Sequence, residues 1–315
     1  MLKLRPAWQR LEQSDSATMF QSFAWNHLAA RVFSDRESPY VVYAETDNSS
    51  TLIPGAVDAA RARITLLGES LFDYRDILSD GSSDSSLPPA WQALSEHGLN
   101  FSTAAIRQDA AFLRCPGFAL NKFYGAPRVS PDAVTPDQFA SDHGRLGRWR
   151  RRLEREGVPL RCHPGQNTEL VRFIYRQKSL QSSEDGNNLF ADPLRQDFMA
   201  AVAEAMGSAC EIFTLESAGG LVAALVTFLD RHVRRFYTIY FDQSWAKYSP
   251  GMVLLYEVTR RSLEAGIECD YMTGEHAYKM RFATSVVPMY WAEASAESIG
   301  ACSFSEFQTA ARLAS

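Results

Sequence analysis

The chain has 315 residues, 46% of them hydrophobic and 22% charged, with a formal net charge of −5. This composition excludes a disordered or fibrous chain, and the length admits two domains of ordinary size. The acidic balance disfavours whole-molecule attraction to nucleic acid, leaving a local basic patch as the only route to it.

In chain order, a helical stretch "MFQSFAWNHLAARVF" precedes three strand-like runs, "YVVYAET", "STLIPGAV" and "RARITLLG". The turn "DNSS" between the first two predicts a hairpin. A Ser-rich loop, "SDGSSDSSLPP", leads to a helix and then to the strand-like "LNFSTAAI". The proline-rich stretch "APRVSPDAVTPDQF", 126–139, has no long apolar run and marks a domain boundary, which divides the chain into 1–140 and 141–315. Three helices follow: "RLGRWRRRLEREG", "ELVRFIYRQKSLQ" and "PLRQDFMAAVAEAMG", the last capped by Asp192 with Pro193 in its first turn. The runs "EIFTLES", "GLVAALVTFLD" and "VRRFYTIYFD" are joined by short turns and predict an antiparallel meander. A helix from about Pro250 to Ala265 comes next, with Ser249 as its N-cap and Gly266 as its stop. Gly251 in its first turn would let another molecule approach the backbone. The strand "IECDYMT" and the loop "GEHAYKMRFA" complete the readable part.

The five cysteines, at 115, 162, 210, 269 and 302, are scattered and form no Cys-x-x-Cys pair. Reduced thiols are therefore expected, with no disulfide framework and no metal site. The N-terminal "MLKLRPAWQRLEQSD" lacks the apolar core of a signal peptide. The longest apolar run, Leu221 to Leu229, falls far short of the roughly 20 residues that span a bilayer. A cytoplasmic protein with no transmembrane segment is the expectation; the oligomeric state is not legible.

A meander strand feeding a capped helix and then a further strand resembles the coenzyme A-binding arrangement of GCN5-related N-acetyltransferases (GNATs). The stretches "YSPGMVLL", "CDYMTGEHAYKMRFA", "NLFADPLRQDF" and "RRRLEREG" resemble the cellulose-biosynthesis-associated branch of that superfamily, and "LLGESLFDYRDIL" resembles its N-terminal part. That branch is similar in turn to the Fem-type aminoacyltransferases, which carry two GNAT-like domains and an aromatic-Lys pair where Tyr278 and Lys279 stand here. The resemblance implies an α/β chain of two GNAT-like domains, each a mixed, mostly antiparallel sheet flanked by helices. It also implies an acyl-CoA-dependent N- or O-acyltransferase with acetyl-CoA as default donor. The acceptor would be a sugar, a lipid-linked precursor or an envelope metabolite, bound in the groove between domains.

By the same resemblance, Tyr248-Ser249-Pro250-Gly251 replaces the glycine-rich pyrophosphate loop of simple GNATs, although Pro250 removes one N–H donor. Ile239, Tyr240, Phe241, Tyr248, Ser249, Gly251 and Met252 are the expected donor contacts. Acyl transfer also needs a base, a stabilised oxyanion and an acid for the leaving thiol. Glu275 is the first candidate for the base and Asp270 the second; a solvated loop carboxylate is the plain alternative for Glu275. Lys279 is placed to steady developing charge, or else forms a surface pair with Arg281. Tyr278 either protonates the thiolate or packs its ring. Asp73 and Tyr74 resemble an Asp-Tyr pair that would contact the acceptor, or else close a turn. The arginines at 145, 148, 150, 151, 152 and 155 are either a solvated helix face, partly neutralised by Glu154 and Glu156, or a phosphate contact. Two further readings stay open: a Fem-like transferase using aminoacyl-tRNA, and a non-catalytic GNAT-like module in polysaccharide export.

Overall fold

A computed structural model describes residues 1–68, 71–80, 83–114, 117–181 and 188–301. Cys115, Cys302 and the Glu69–Ser70 part of "LLGESLFDYRDIL" lie outside the described residues. The chain forms two compact units: Met1–Tyr124 with the chain from Pro288, and Gly125–Val287.

The first unit opens with α1 (Arg5–Leu11) and α2 (Phe23–Val32), then β1 (Glu37–Thr46), β2 (Ser49–Asp58), β3 (Arg63–Leu66) and β4 (Leu78–Ser79). It continues through α3 (Leu87–Ser95), β5 (Asn100–Arg107) and β6 (Ala119–Lys122). The β1–β2 hairpin expected at "DNSS" is present, with Thr46 opposite Ser49. β3 runs antiparallel to β2 and parallel to β5, and α3 makes the crossover between them.

The second unit holds β7 (Ala126–Val129), α4 (Pro136–Asp142), α5 (Gly144–Arg155), β8 (Leu160–Pro164), α6 (Thr168–Leu180) and α7 (Pro193–Met206). Next come the meander β9 (Cys210–Ser217), β10 (Gly220–Asp230) and β11 (Val233–Phe241), then α8 (Pro250–Glu264), β12 (Glu268–Asp270), α9 (Ala277–Met280) and β13 (Ser285–Val287). The strand order is β13-β7-β12-β11-β10-β9-β8. The meander is antiparallel, as its short turns predict, and β12 is parallel to β11. Asp192 caps α7 by accepting from the N–H of Leu194 at 3.0 Å.

The chain then returns to the first unit as β14 (Met289–Ala294) and α10 (Ala296–Gly300). β14 pairs with both β5 and β6 and completes the order β1-β2-β3-β5-β14-β6, with β4 on β2. The proline-rich stretch 126–139 thus contributes an inner strand and the start of a helix to the second unit, which begins at Gly125. β7 tolerates Pro127 because the ring costs only an N–H; the carbonyl still accepts from Tyr271 N–H at 3.0 Å, and Ala126 and Val129 are fully buried.

α8 is the central helix of the second unit. Val253, Leu254, Val258 and Leu263 are at most 3% exposed and join one core with Leu215, Leu225 and Phe236 of the meander. Burial of each such side chain is worth about 1.5–3 kcal/mol, which holds the helix to the sheet.

Candidate functional site

β12 pairs with β11 over three residues only, Val233–Arg235 against Glu268–Asp270. The chain after Asp270 turns toward β7, where Tyr271 N–H donates to Pro127 O, and Met272 takes a left-handed φ of 63°. Among the described residues, β11 from Phe236 to Phe241 therefore has no strand beside it on that edge. Asp242 N–H donates to Val222 O at 2.9 Å, so alternation turns the backbone groups of Ile239 and Phe241 away from β10, toward the open edge. Phe241 O is taken by Gln181 Nε2 at 3.0 Å. Tyr237 is an extra residue on β11, where the register with β10 shifts, and a bulge of this kind re-aims the backbone beside it. A small pocket of about 60 Å³ lies here, lined by Phe236, Tyr237, Ile239, Leu255, Tyr278 and Lys279 among others.

The start of α8 adjoins this edge. Ser249 occupies the N-cap position but does not cap; its backbone is left-handed, φ 46° and ψ 54°, and its side chain accepts no bond from the helix. A capping serine needs an extended backbone to aim its oxygen at the first turn, so the expected cap is absent. Pro250 has no N–H, and the N–H groups of Gly251 and Met252 have no hydrogen-bond acceptor among the described residues. The first bond into the helix runs from Val253 N–H to Ser249 O at 3.0 Å. Two donors are thus left at the positive end of a 15-residue helix. Gly251 also has a packing role within the unit. A Cβ there would lie 3.3 Å from Phe241 Cδ1 and 3.4 Å from Ile239 Cδ1, so glycine serves the close approach of α8 to β11. Tyr248 is buried, and its hydroxyl donates to both oxygens of Glu156, at 2.7 and 2.9 Å. Tyr240 is also buried, on the opposite face of β11 from Ile239 and Phe241.

Asp270 is fully buried. Its carboxylate lies 2.7 Å from Arg235 Nη1 and 3.4 Å from Arg128 Nε, and it accepts from Met272 N–H at 2.8 Å. These bonds commit the group to joining β12 to β11 and β7 and to holding the turn that opens the edge. Arg235 also pairs with Asp230, and Arg128 with Glu268. Sequence reasoning missed this network; its signal was the pair of arginines inside the otherwise apolar strand "VRRFYTIYF".

Glu275 is exposed and accepts from Gly125 N–H at 3.2 Å. Lys279 and Arg281 do not form a surface pair. Lys279 is only 9% exposed and donates to Thr273 O at 2.6 Å and Met272 O at 3.3 Å, whereas Arg281 is exposed. Tyr278 is 38% exposed and stacks on His276 with centroids 5.8 Å apart. Burial of its inner part pushes its hydroxyl up to about 12, which keeps it a proton donor at neutral pH. Glu275, Tyr278 and Lys279 stand on one short loop and helix next to the small pocket.

On α5, Leu153 is buried and Trp149 packs against the core, as their spacing predicts. Arg150 pairs with Glu154 and Arg152 with Glu156. Asp73 and Tyr74 belong to the other unit. Tyr74 is 1% exposed, with its ring near Phe20 and under the Arg107 guanidinium, and its carbonyl accepts from Gln21 Nε2 at 2.6 Å. This places Tyr74 in the core rather than on a surface. The neighbouring Asp76 accepts from the N–H groups of Ile77, Ala111 and Phe112.

Among the described residues there is no group of three or more His, Cys, Asp or Glu that could hold a metal, and no helix is long and apolar enough to cross a membrane. Residues 141–280 match the acetyltransferase (GNAT) domain family. No curated protein matches the chain. A conserved protein of unknown function from Bacteroides thetaiotaomicron superposes with TM-score 0.63, at 12% identity over 94% of this chain and 98% of that one. FemX superposes with TM-score 0.59, at 8% identity over 92% and 95% of the two chains. L-PGS from Bacillus licheniformis gives 0.56, at 14% identity over 90% and 95%. At these identities the likeness is one of fold. The chain consists of two α/β domains, each with a mixed sheet flanked by helices, and the second carries the match to the GNAT domain family.

Proposed function

We propose that the second unit transfers an acyl group from a thioester donor, acetyl-CoA by default, to an amine or hydroxyl acceptor by direct attack. The observation that carries this reading is the open edge of β11 beside a helix start with two N–H groups that have no acceptor among the described residues. An edge of this kind takes an extended donor arm by backbone pairing, and such a helix start takes a pyrophosphate. In the reaction the acceptor's nitrogen or oxygen bonds to the thioester carbon, Glu275 takes its proton, and the C–S bond breaks. The departing thiolate receives a proton from Tyr278. Lys279 faces the small pocket, where a cation steadies the oxyanion. Asp270 acts by positioning the loop. The resemblance to the cellulose-biosynthesis-associated branch supports a sugar, lipid-linked or envelope-related acceptor.

A second reading, transfer from aminoacyl-tRNA, is favoured by one feature. Arg145, Arg148 and Arg151 are exposed on α5 without an ion pair among the described residues. The fold likeness to FemX is compatible with it.

Calorimetric titration with coenzyme A and acetyl-CoA at moderate salt tests the first reading; saturable binding is the expected result. Glu275→Gln should lower thiol release by about 10²–10⁴-fold while leaving donor affinity unchanged. No binding at millimolar ligand removes the acetyl-CoA reading. Salt-sensitive retention of tRNA would then establish the second reading, and failure of both would leave a non-catalytic module.

A further inference from the structure

A cavity of about 410 Å³ opens at the first turn of α8, lined in part by Ser249 and Met252. His143, Arg145 and Trp149 line it from the α4–α5 corner, and Arg281 from the end of α9. Its volume suits a small organic ligand and exceeds what a lone inorganic phosphate fills.

Arg145 differs from two other arginines of α5 in what lies one turn on. Arg150 and Arg152 each have a glutamate four residues on, but the residue four beyond Arg145 is Trp149. Arg145 stacks on that indole with its guanidinium carbon 4.6 Å from the ring centroid. Stacking uses the face of the guanidinium and leaves its N–H groups in plane for an anion. Arg281 likewise has no carboxylate within ion-pair distance among the described residues. The carboxylate in the lining, Asp142, accepts from Gln138 Nε2 at 2.7 Å. His143 is pushed below its ordinary value by burial, outweighing the opposing pull of Asp142, and so carries no charge at neutral pH.

We propose that this cavity is a phosphate subsite in which Arg145 and Arg281 clamp a phosphomonoester of the donor, separate from any pyrophosphate held by the N–H groups of Gly251 and Met252. Two guanidiniums match the charge of roughly −1.5 to −2 on a monoester better than the single charge of a diester. The 3′-phosphate of coenzyme A is a group of this chemistry. The inference rests on the donor reading above and adds residues outside the β11–α8 crossover to it.

The test is calorimetry with coenzyme A against dephospho-coenzyme A, which differs only by the 3′-phosphate. The wild type should bind coenzyme A at least about tenfold more tightly. Arg145→Ala with Arg281→Ala should bring it to the dephospho level while leaving dephospho-coenzyme A affinity unchanged. Arg155→Ala, on the same helix but away from the cavity, should change neither. Equal affinity for the two forms in the wild type overturns the subsite, as does an equal loss for both in the double variant. Failure of both forms to bind at millimolar concentration sinks the donor reading itself. Adenosine 3′,5′-bisphosphate then probes the cavity alone. Binding lost in the double variant keeps the clamp, and no binding by the wild type overturns it.

Discussion

α3 and α8 occupy matching places in the two units. Each follows an antiparallel meander and crosses over to a parallel strand, β3 to β5 and β11 to β12, and each has proline in its first turn. In α3 the first turn is Leu87-Pro88-Pro89: two residues have no N–H, and Leu87 N–H donates to Asp84 O. The preceding Ser86 N–H is taken by Ser49 Oγ at 2.9 Å. Aromatic side chains fill the interior of that unit: Trp91, Phe101, Phe112 and Phe118 meet with centroids 4.3 to 5.8 Å apart. In α8 one proline is followed by Gly251 and Met252, whose N–H groups have no acceptor among the described residues, and a cavity opens beside them. One substitution pattern therefore separates a closed helix start from one able to bind an anion. The same topology serves packing in one unit and presents donors in the other.

The largest expected effects test what holds each crossover. Asp270→Ala leaves the buried Arg235 and the partly buried Arg128 without their shared partner and should cost about 3–5 kcal/mol. Trp91→Ala in the first unit should cost a similar 3–5 kcal/mol through a cavity, as read from urea denaturation. If donor binding belongs to the second unit, the folded Trp91→Ala protein keeps its coenzyme A affinity. A loss there would break the comparison.

Next in size is Met252→Pro, which gives α8 the proline that α3 carries at the corresponding position. The substitution removes one donor without breaking a helical bond and should weaken coenzyme A binding about 10–100-fold in calorimetry. An unchanged affinity would mean that the helix start does not hold the donor. Gly251→Val pushes a side chain against Ile239 and Phe241, and a loss of about 1–3 kcal/mol is expected from thermal unfolding.

The smallest effect is a pH dependence in the first unit. Burial pushes the Asp76 carboxyl up to about 6, outweighing the three N–H groups that lower it. A group whose folded value lies above its unfolded value binds more protons when folded, so stability should rise as pH falls through 6. The contribution between pH 7 and pH 5 is about 1 kcal/mol, and Asp76→Asn should abolish it in paired urea titrations.

Local chemistry was legible in the sequence. The β1–β2 hairpin, the β9–β11 meander, the Asp192 cap and the stop of α8 near Gly266 follow from turn residues, alternation and capping, which act over a few positions. Of the candidate site, the sequence singled out the stretch carrying Glu275, Tyr278 and Lys279 and the start of α8, but the cap it led one to expect from Ser249 is absent. Tertiary structure alone decided the rest. β7 and β14 join sheets far from their sequence neighbours, and the three-residue pairing of β11 with β12 depends on where β7 competes for the chain. Asp270, a candidate base by position, is surrounded by Arg235 and Arg128 from two other strands. Lys279 lies buried on carbonyls, although its neighbours suggest a surface residue. Gly251 lets α8 approach β11 closely, a contact its sequence neighbours do not announce. Periodicity reports which face of an element is apolar. It carries no information about which distant strand or charge that face will meet, and the site is built from such meetings.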